Sequence, residues 1–248
     1  MEAFLTTTSN QSDVILVPSV DSSIWFSFIF FILSVIAGAS DTISFLGLNG
    51  LFTAHITGNL VILAAHVVAG SQVPISQIIA VPIFFVMLAM TKMIASLLER
   101  ASVPSLLPLL FIHFGLLACC FIAGMVAIKQ IQDSNAISVI LTGMLGVSAM
   151  AVQNALVQTS VKGAPTTAVM TTNITRFTVD MVEVVLGRHP KNKAAALERA
   201  LNTWPAIIGF FIGCGLGAAS FALIGLFALA TPAILALITI IMYLLVKS

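Results

Sequence analysis

The sequence predicts an all-α membrane protein with six transmembrane helices and two re-entrant half-helix segments, built as a 3+3 inverted internal repeat. Three observations lead to this prediction: a low content of charged residues, a series of long apolar runs, and a polar motif that occurs twice. Of the 248 residues, 59% are hydrophobic and 8% are charged, whereas a soluble domain has about 25% charged residues. This small number of charges cannot cover a water-exposed surface, and we therefore expect the chain to lie in the lipid bilayer.

The composition also excludes several classes of function. A net charge of +1 gives no basic stripe for nucleic acid. Cys119, Cys120 and Cys214 lie in apolar runs, which indicates buried free thiols. No spacing of His, Cys or acidic residues is typical of a metal site, and no nucleophile and base are suitably spaced for an enzyme. We therefore expect a protein without catalytic activity, metal or cofactor.

The chain divides into a polar tail and a single transmembrane domain. Residues 1–23 are polar and contain no Lys or Arg, so we expect a flexible tail, and the domain takes up residues 24–248. A bilayer core of about 30 Å requires about 20 apolar residues per helix. The predicted spans are 24–45, 78–97, 106–128, 136–161, 202–223 and 232–246. Short helices are predicted at 60–68 and, after the second motif, over about four turns to Leu186, and residues 188–199 are predicted to be a basic connection.

Two copies of one polar motif relate the halves of the chain. Thr53, Ala54, Thr57 and Asn59 recur 114 residues later as Thr167, Ala168, Thr171 and Asn173, and His66 corresponds in the same way to Asp180. Prolines follow in the same order, with Pro82 and Pro108 in one half and Pro205 and Pro232 in the other. Each proline is predicted to lie in the first turns of its helix, where its missing N–H costs least. The two repeats are therefore predicted at about 24–128 and 136–247.

The distribution of Lys and Arg indicates the orientation of the chain. With six spans and a cytoplasmic N-terminus, one basic residue, Lys129, lies outside. The cytoplasmic ones are Lys92, Arg100, Lys162, Arg188, Lys191, Lys193, Arg199 and Lys247. Eight full spans would move Lys92, Arg100 and Lys162 outside, so the six-span topology is preferred, with both termini in the cytoplasm. Three spans per repeat is an odd number, so the second repeat is inverted relative to the first.

The motif residues are the candidate binding site. Thr and Asn are helix-capping residues, and the start of a helix carries free N–H groups and partial positive charge. Two such helix starts, approaching from opposite faces, would suit a small polar or anionic solute. The predicted solute-binding residues are Thr53, His55, Thr57, Asn59, Thr171 and Asn173. The alternative is that these side chains only satisfy the backbone of two tight turns.

Four ionisable residues are candidates for a proton or ion relay: Asp41, His66, Arg176 and Asp180. Charges in an apolar protein normally face the bundle interior or water. Arg176 and Asp180 are spaced to pair across one helical turn, although an amphipathic helix at the membrane surface would look the same. Asp41 could cap the turn at Thr42, pair with a basic group, or carry protons; His66 shares a helix face with Asn59.

Three glycines indicate a close helix contact. Gly209, Gly213 and Gly217 recur every four residues in the fifth predicted span. Small residues at this spacing let two helices approach closely. The contact could lie within the chain or form the seam of a homo-oligomer.

Several of these segments resemble a known family. The segments are Gly38-Ala39-Ser40-Asp41, the run at 53–59, Gln153-Asn154-Ala155 and Thr171-Thr172-Asn173. They resemble the YoaK family of bacterial membrane proteins, over about residues 37–245. That family usually has Gly where Thr172 stands here. The resemblance implies a multi-pass protein of the bacterial inner (cytoplasmic) membrane. The family's function is unknown, with small-solute transport suggested for some members.

Two functions are compatible with the sequence. The repeated motif favours a small-solute channel or carrier with its site between the repeats. The alternative is a membrane scaffold or sensor, in which the motifs are turns and the basic connection at 188–199 binds a partner.

Overall fold

The computed structural model describes residues 20–160, 167 and 170–247, and within them it contains helices and no strand. The α-helices are α1 (Val20–Gly47), α2 (Ile56–Ala69), α3 (Ile75–Arg100), α4 (Leu106–Ala127), α5 (Ile137–Ser160), α6 (Met170–Leu186), α7 (Pro190–Ile224) and α8 (Ala230–Lys247). Short 3₁₀ helices follow α4 and α7. The predicted loop at 162–165, Ala168, and residues 1–19 of the predicted tail lie outside the described residues.

Five helical segments in the described part are long and apolar enough to cross a membrane. They are Ser27–Gly47, Ile75–Arg100, Leu106–Gln130, Ile137–Thr159 and Pro190–Leu245. The last contains both α7 and α8, which are separated at Gly225, whose φ of 57° is left-handed and ends α7. The prediction of an all-helical protein of membrane type is confirmed.

Helices α1 and α5 form the centre of the bundle. In their apolar windows 78% and 83% of the residues are buried, against 17% for α3 and 33% for α4. Helix α1 packs against α7 and α8, whereas α5 packs against α3 and α4. The short helices α2 and α6 pack on α3 and α7 respectively. The first long helix of each half therefore packs mainly on the other half, while the outer helices expose apolar side chains, as expected in lipid.

The predicted glycine contact lies between α1 and α7. In order along both helices, Gly209 faces Phe31, Gly213 faces Val35 and Gly217 faces Ala39. Matching order on both helices means that α1 and α7 run parallel. The three glycines are buried, so the close helix contact that they indicate lies within the chain.

Two predicted features, the basic connection and the position of two prolines, are wrong. The basic connection is short, because α7 already begins at Pro190, a favourable first position for proline. Most of the predicted basic connection is therefore helical. Pro82 and Pro205 lie inside α3 and α7 and not in their first turns, because both helices begin earlier than their apolar runs.

Candidate functional site

The carboxylate of Asp41 holds the first copy of the motif in place. Asp41 lies near the end of α1 and is 3% exposed. Its Oδ1 accepts hydrogen bonds from the backbone N–H groups of Thr53 (2.8 Å) and Ala54 (2.6 Å), and its Oδ2 accepts one from that of His55 (3.1 Å). These three groups lead into the start of α2, where a negative charge is favoured. Asp41 therefore binds the backbone of a segment 12 to 14 residues downstream, directly before α2, and does not cap the turn at Thr42.

The imidazole of His55 forms the second part of this arrangement. Its Nδ1 lies 2.5 Å from Oδ2 of Asp41; since a carboxylate only accepts, Nδ1 is the protonated nitrogen and donates a hydrogen bond to Oδ2. The ring also makes an edge contact with Phe210 of α7, at 5.2 Å between centroids. The side chain remains 35% exposed. In the part of the chain that the structure describes, no hydrogen-bond partner is found for Nε2, so this atom is free to bind a solute.

Asn59 folds the motif back on itself. Its Oδ1 accepts a hydrogen bond from the N–H of Phe52, and its Nδ2 donates one to the carbonyl of Phe52, both at 2.8 Å. The side chain is fully buried. Thr53 is buried as well, and its hydroxyl lies 3.3 Å from Oδ1 of Asp41. These two members of the predicted site position the backbone in this conformation.

The second copy of the motif is held by an amide where the first is held by a carboxylate. Gln153 of α5 donates from Nε2 to the hydroxyl of Thr167 (2.9 Å) and to the carbonyl of Leu33 on α1 (2.9 Å). Thr167 and Asn173 are buried, as are their counterparts Thr53 and Asn59. Gln153 thus connects the second motif to the central helix of the first half.

Both copies of the motif meet at one cavity of about 270 Å³. Thr57 and Thr171, which occupy equivalent positions in the repeat, are both exposed and both line this cavity. The lining is completed by Ala54, His55, Ile56, Phe84, Leu88, Asn154, Gln158 and Met170. Among the described lining residues, the one ionisable group is the imidazole of His55. We name this space the central cavity.

Sequence reasoning missed two polar residues of the central cavity. Asn154 and Gln158 lie one turn apart on α5 and both line it. The signal was their position on one face of an otherwise apolar helix, late in its length. The buried members of the predicted site (Thr53, Asn59 and Asn173) are not among its described lining residues.

The other predicted relay residues lie away from the central cavity. Asp180 is buried and accepts hydrogen bonds from Arg199 of α7, at 2.9 Å from Nε and 2.5 Å from Nη2. The expected pairing of Asp180 with Arg176 is therefore wrong, because the antiparallel packing of α6 on α7 brings Arg199 closer. Arg176 is exposed. His66 lies in the last turn of α2, with its Nδ1 2.7 Å from the hydroxyl of Ser71.

Comparison with known proteins identifies the family without identifying a function. No curated protein and no solved structure matches the chain. The profile of a family described as "Protein of unknown function (DUF1275)" matches residues 29–242, which is most of the chain and agrees with the resemblance to the YoaK family. The chain therefore belongs to the DUF1275 family.

Proposed function

We propose that this protein transports a small polar solute across the membrane, and that the solute binds in the central cavity. The observation that carries the proposal is that both copies of a repeated motif line one cavity. A site between two repeats is expected of a carrier, which opens alternately to the two sides of the membrane. A channel, which is open to both sides at once, could have the same arrangement. If the motifs were two unrelated turns, there would be no reason for the equivalent hydroxyls of Thr57 and Thr171 to line the same cavity.

The packing of the helices supports an inverted repeat. If α1 to α4 correspond in order to α5 to α8, each contact between two helices should have a counterpart. The contact of α1 with α7 has its counterpart in that of α5 with α3, and the contact of α2 with α3 in that of α6 with α7. Gln77, near the start of α3, bonds the carbonyl of Asn49 beyond the end of α1, so α3 runs opposite to α1. Since α7 runs parallel to α1, the equivalent helices α3 and α7 have opposite directions. Counting α7 and α8 as separate crossings gives six in the described residues, the number that an inverted repeat of three spans each requires.

The dimensions of α2 support a re-entrant segment. Its 14 residues span about 21 Å at 1.5 Å per residue, less than a bilayer core of about 30 Å. Helix α2 begins beside Asp41. At the same rise per residue, Asp41 lies about 9 Å from the end of α1, so α2 begins at that depth along α1. The contact of Gln77 with Asn49 returns the chain to the side from which the motif entered. Such backbone is stable at membrane depth when protein groups satisfy it, as Asp41 and Asn59 do here.

The lining favours a neutral polar solute over an anion. The N–H groups before α2 that could bind an anion already bind the carboxylate of Asp41. Hydroxyl, amide and imidazole groups of the cavity offer both donors and acceptors. The volume of about 270 Å³ limits the solute to a small molecule. The proposed solute is therefore small and uncharged, with several hydrogen-bonding groups.

Flux through reconstituted liposomes tests the proposal. The probes are glycerol, urea and formamide as neutral solutes, with formate as an anion, and stopped-flow light scattering gives the rates. We expect at least one neutral probe to cross faster than in protein-free liposomes. Thr57→Val and Thr171→Val keep the side-chain size and remove one hydroxyl each. Losing a hydrogen bond of about 0.5–1.5 kcal/mol should slow that flux about two- to tenfold.

Thr178→Val is the matched control. Thr178 is an exposed threonine of α6 whose hydroxyl bonds the carbonyl of Ile174 in its own helix, and it does not line the central cavity. Its substitution should leave flux unchanged. Equal flux with and without protein for every probe would favour the scaffold or sensor, and equal slowing by all three variants would remove the hydroxyls from the site.

A further inference from the structure

A second polar cavity lies between α6 and α7, apart from the central cavity. It has a volume of about 370 Å³ and is lined by Thr175, Arg176, Val179, Asp180, Arg199, Asn202 and Thr203. We name it the α6–α7 groove. The proposed transport site does not use it, although its lining includes three of the charged residues of this otherwise apolar chain.

The charges of the groove leave one guanidinium without an anion. Buried Asp180 is bound by Arg199, whose side chain is 60% exposed. Glu183 and Glu198 also lie close enough to Arg199 to interact with its charge. Arg176 lies one helical turn before Asp180 and is exposed, and within the described ranges no carboxylate pairs with it. An anion entering the groove would therefore bind at Arg176.

Both helices that form the groove expose apolar side chains. Val179, which lines the groove with Arg176, is 62% exposed, and Trp204, next to Thr203 of the lining, is 44% exposed. Val182 on α6 and Ile208 on α7 are 51% and 42% exposed. Exposed apolar side chains around a charged residue indicate a position at the edge of the bilayer, where Trp is enriched. A guanidinium at this level requires an anionic or strongly polar partner, and the phosphate of a lipid is available there.

We propose that the α6–α7 groove binds the phosphate of an anionic membrane phospholipid. The planar guanidinium of Arg176 can donate two parallel hydrogen bonds to phosphate oxygens. The amide of exposed Asn202 is a further donor in the same groove. The acyl chains lie along the exposed apolar side chains of α6 and α7. Basic pockets between transmembrane helices are suited to lipid headgroups, and this inference does not depend on the proposed transport.

Titration of the detergent-solubilised protein with phosphatidylglycerol, followed by native mass spectrometry, tests the inference. Arg176→Gln should lower the affinity for phosphatidylglycerol at least fivefold, whereas Arg176→Lys, which keeps the charge without the planar pair of donors, should have a smaller effect. Arg188→Gln is the matched control: it removes the same charge from an exposed residue outside the groove and should change the affinity less than twofold.

A third variant and a soluble competitor complete the design. Asn202→Leu should also weaken binding of phosphatidylglycerol, and it serves in place of Arg176→Gln if that variant elutes as an aggregate. Water-soluble glycerol phosphate should not displace the lipid at equal concentration. Equal affinity of wild type and folded groove variants for phosphatidylglycerol would overturn the inference, and so would full displacement by glycerol phosphate, which would indicate a site for soluble anions.

Discussion

Removing the carboxylate of Asp41 should destabilise the protein more than any single substitution within the motif. We consider Asp41→Ala and Asp41→Asn. The alanine variant leaves the backbone N–H groups of Thr53, Ala54 and His55 without their acceptor. The asparagine variant keeps an oxygen at the position of Oδ1, which accepts from Thr53 and Ala54. It places an NH₂ group at the position of Oδ2, where the N–H and Nδ1 of His55 now bind.

The number of hydrogen bonds lost distinguishes the two variants. A buried donor without an acceptor costs about 1–3 kcal/mol, so Asp41→Ala should cost roughly 3–9 kcal/mol for three donors. That is comparable with the entire free energy of unfolding of a typical domain, about 5–15 kcal/mol. Asp41→Asn loses only the two bonds at Oδ2, roughly 3–6 kcal/mol together at about 1.5–3 kcal/mol each when one partner is charged. Asp41→Ala loses these two bonds and also the acceptor of Thr53 and Ala54 at Oδ1, so it should be the less stable variant and should give little folded protein.

Thermal unfolding in detergent, with the yield of monodisperse protein, measures the difference. Ser40→Ala is the control, because Ser40 is the buried neighbour of Asp41 and its hydroxyl has no hydrogen-bond partner among the described residues. Its substitution should leave the unfolding temperature nearly unchanged. A stable Asp41→Ala variant with the unfolding temperature of the wild type would refute the reasoning, and so would equal losses in Asp41→Ala and Asp41→Asn.

Three further predictions concern packing and topology. Asn59→Ala should lower stability by about 1–3 kcal/mol for each buried backbone group of Phe52 left unpaired, measured by the same thermal unfolding; an unchanged unfolding temperature would contradict this role. Gly213→Ala should separate α1 from α7 and lower the unfolding temperature, because a Cβ there meets the backbone of Val35, whereas a Cβ at Gly215 has open space around it; equal effects of the two substitutions would contradict the glycine contact. Cysteines introduced at 188–199, in a variant without native cysteines, should react with an impermeant maleimide from the cytoplasmic side alone; labelling from outside would exclude the proposed topology.

Much of the fold could be predicted from residue type and spacing. The apolar runs gave the long helices, because a bilayer core imposes a length and a composition on any segment that crosses it. Helix ends were less predictable. Helix α7 begins at Pro190, well before its apolar run, because its first turns pack on α6, where hydropathy gives no signal. For the same reason Pro205 lies inside α7 and not near its start.

The sequence predicted which residues belong to the candidate site, but not which of them line the cavity and which position the backbone. The repeat selected Thr57 and Thr171, which line the central cavity, and also Asn59, whose amide binds the backbone of Phe52. Sequence spacing treats these residues alike, because it does not show which side of a loop faces a cavity. The spacing of Asn154 and Gln158 places them on one face of α5, but only the packing of the helices shows that this face lines the cavity.

The sequence by itself determined that the chain is a helical membrane protein with a polar motif in each half, because composition and spacing along one chain are sufficient for both conclusions. The tertiary structure decided which partners the polar groups bind. Asp41 binds a segment 12 to 14 residues downstream, and Asp180 binds Arg199 instead of Arg176 on its own helix. The physical reason is that a hydrogen bond or ion pair depends on distances of a few ångströms, which are set when helices distant in sequence pack together.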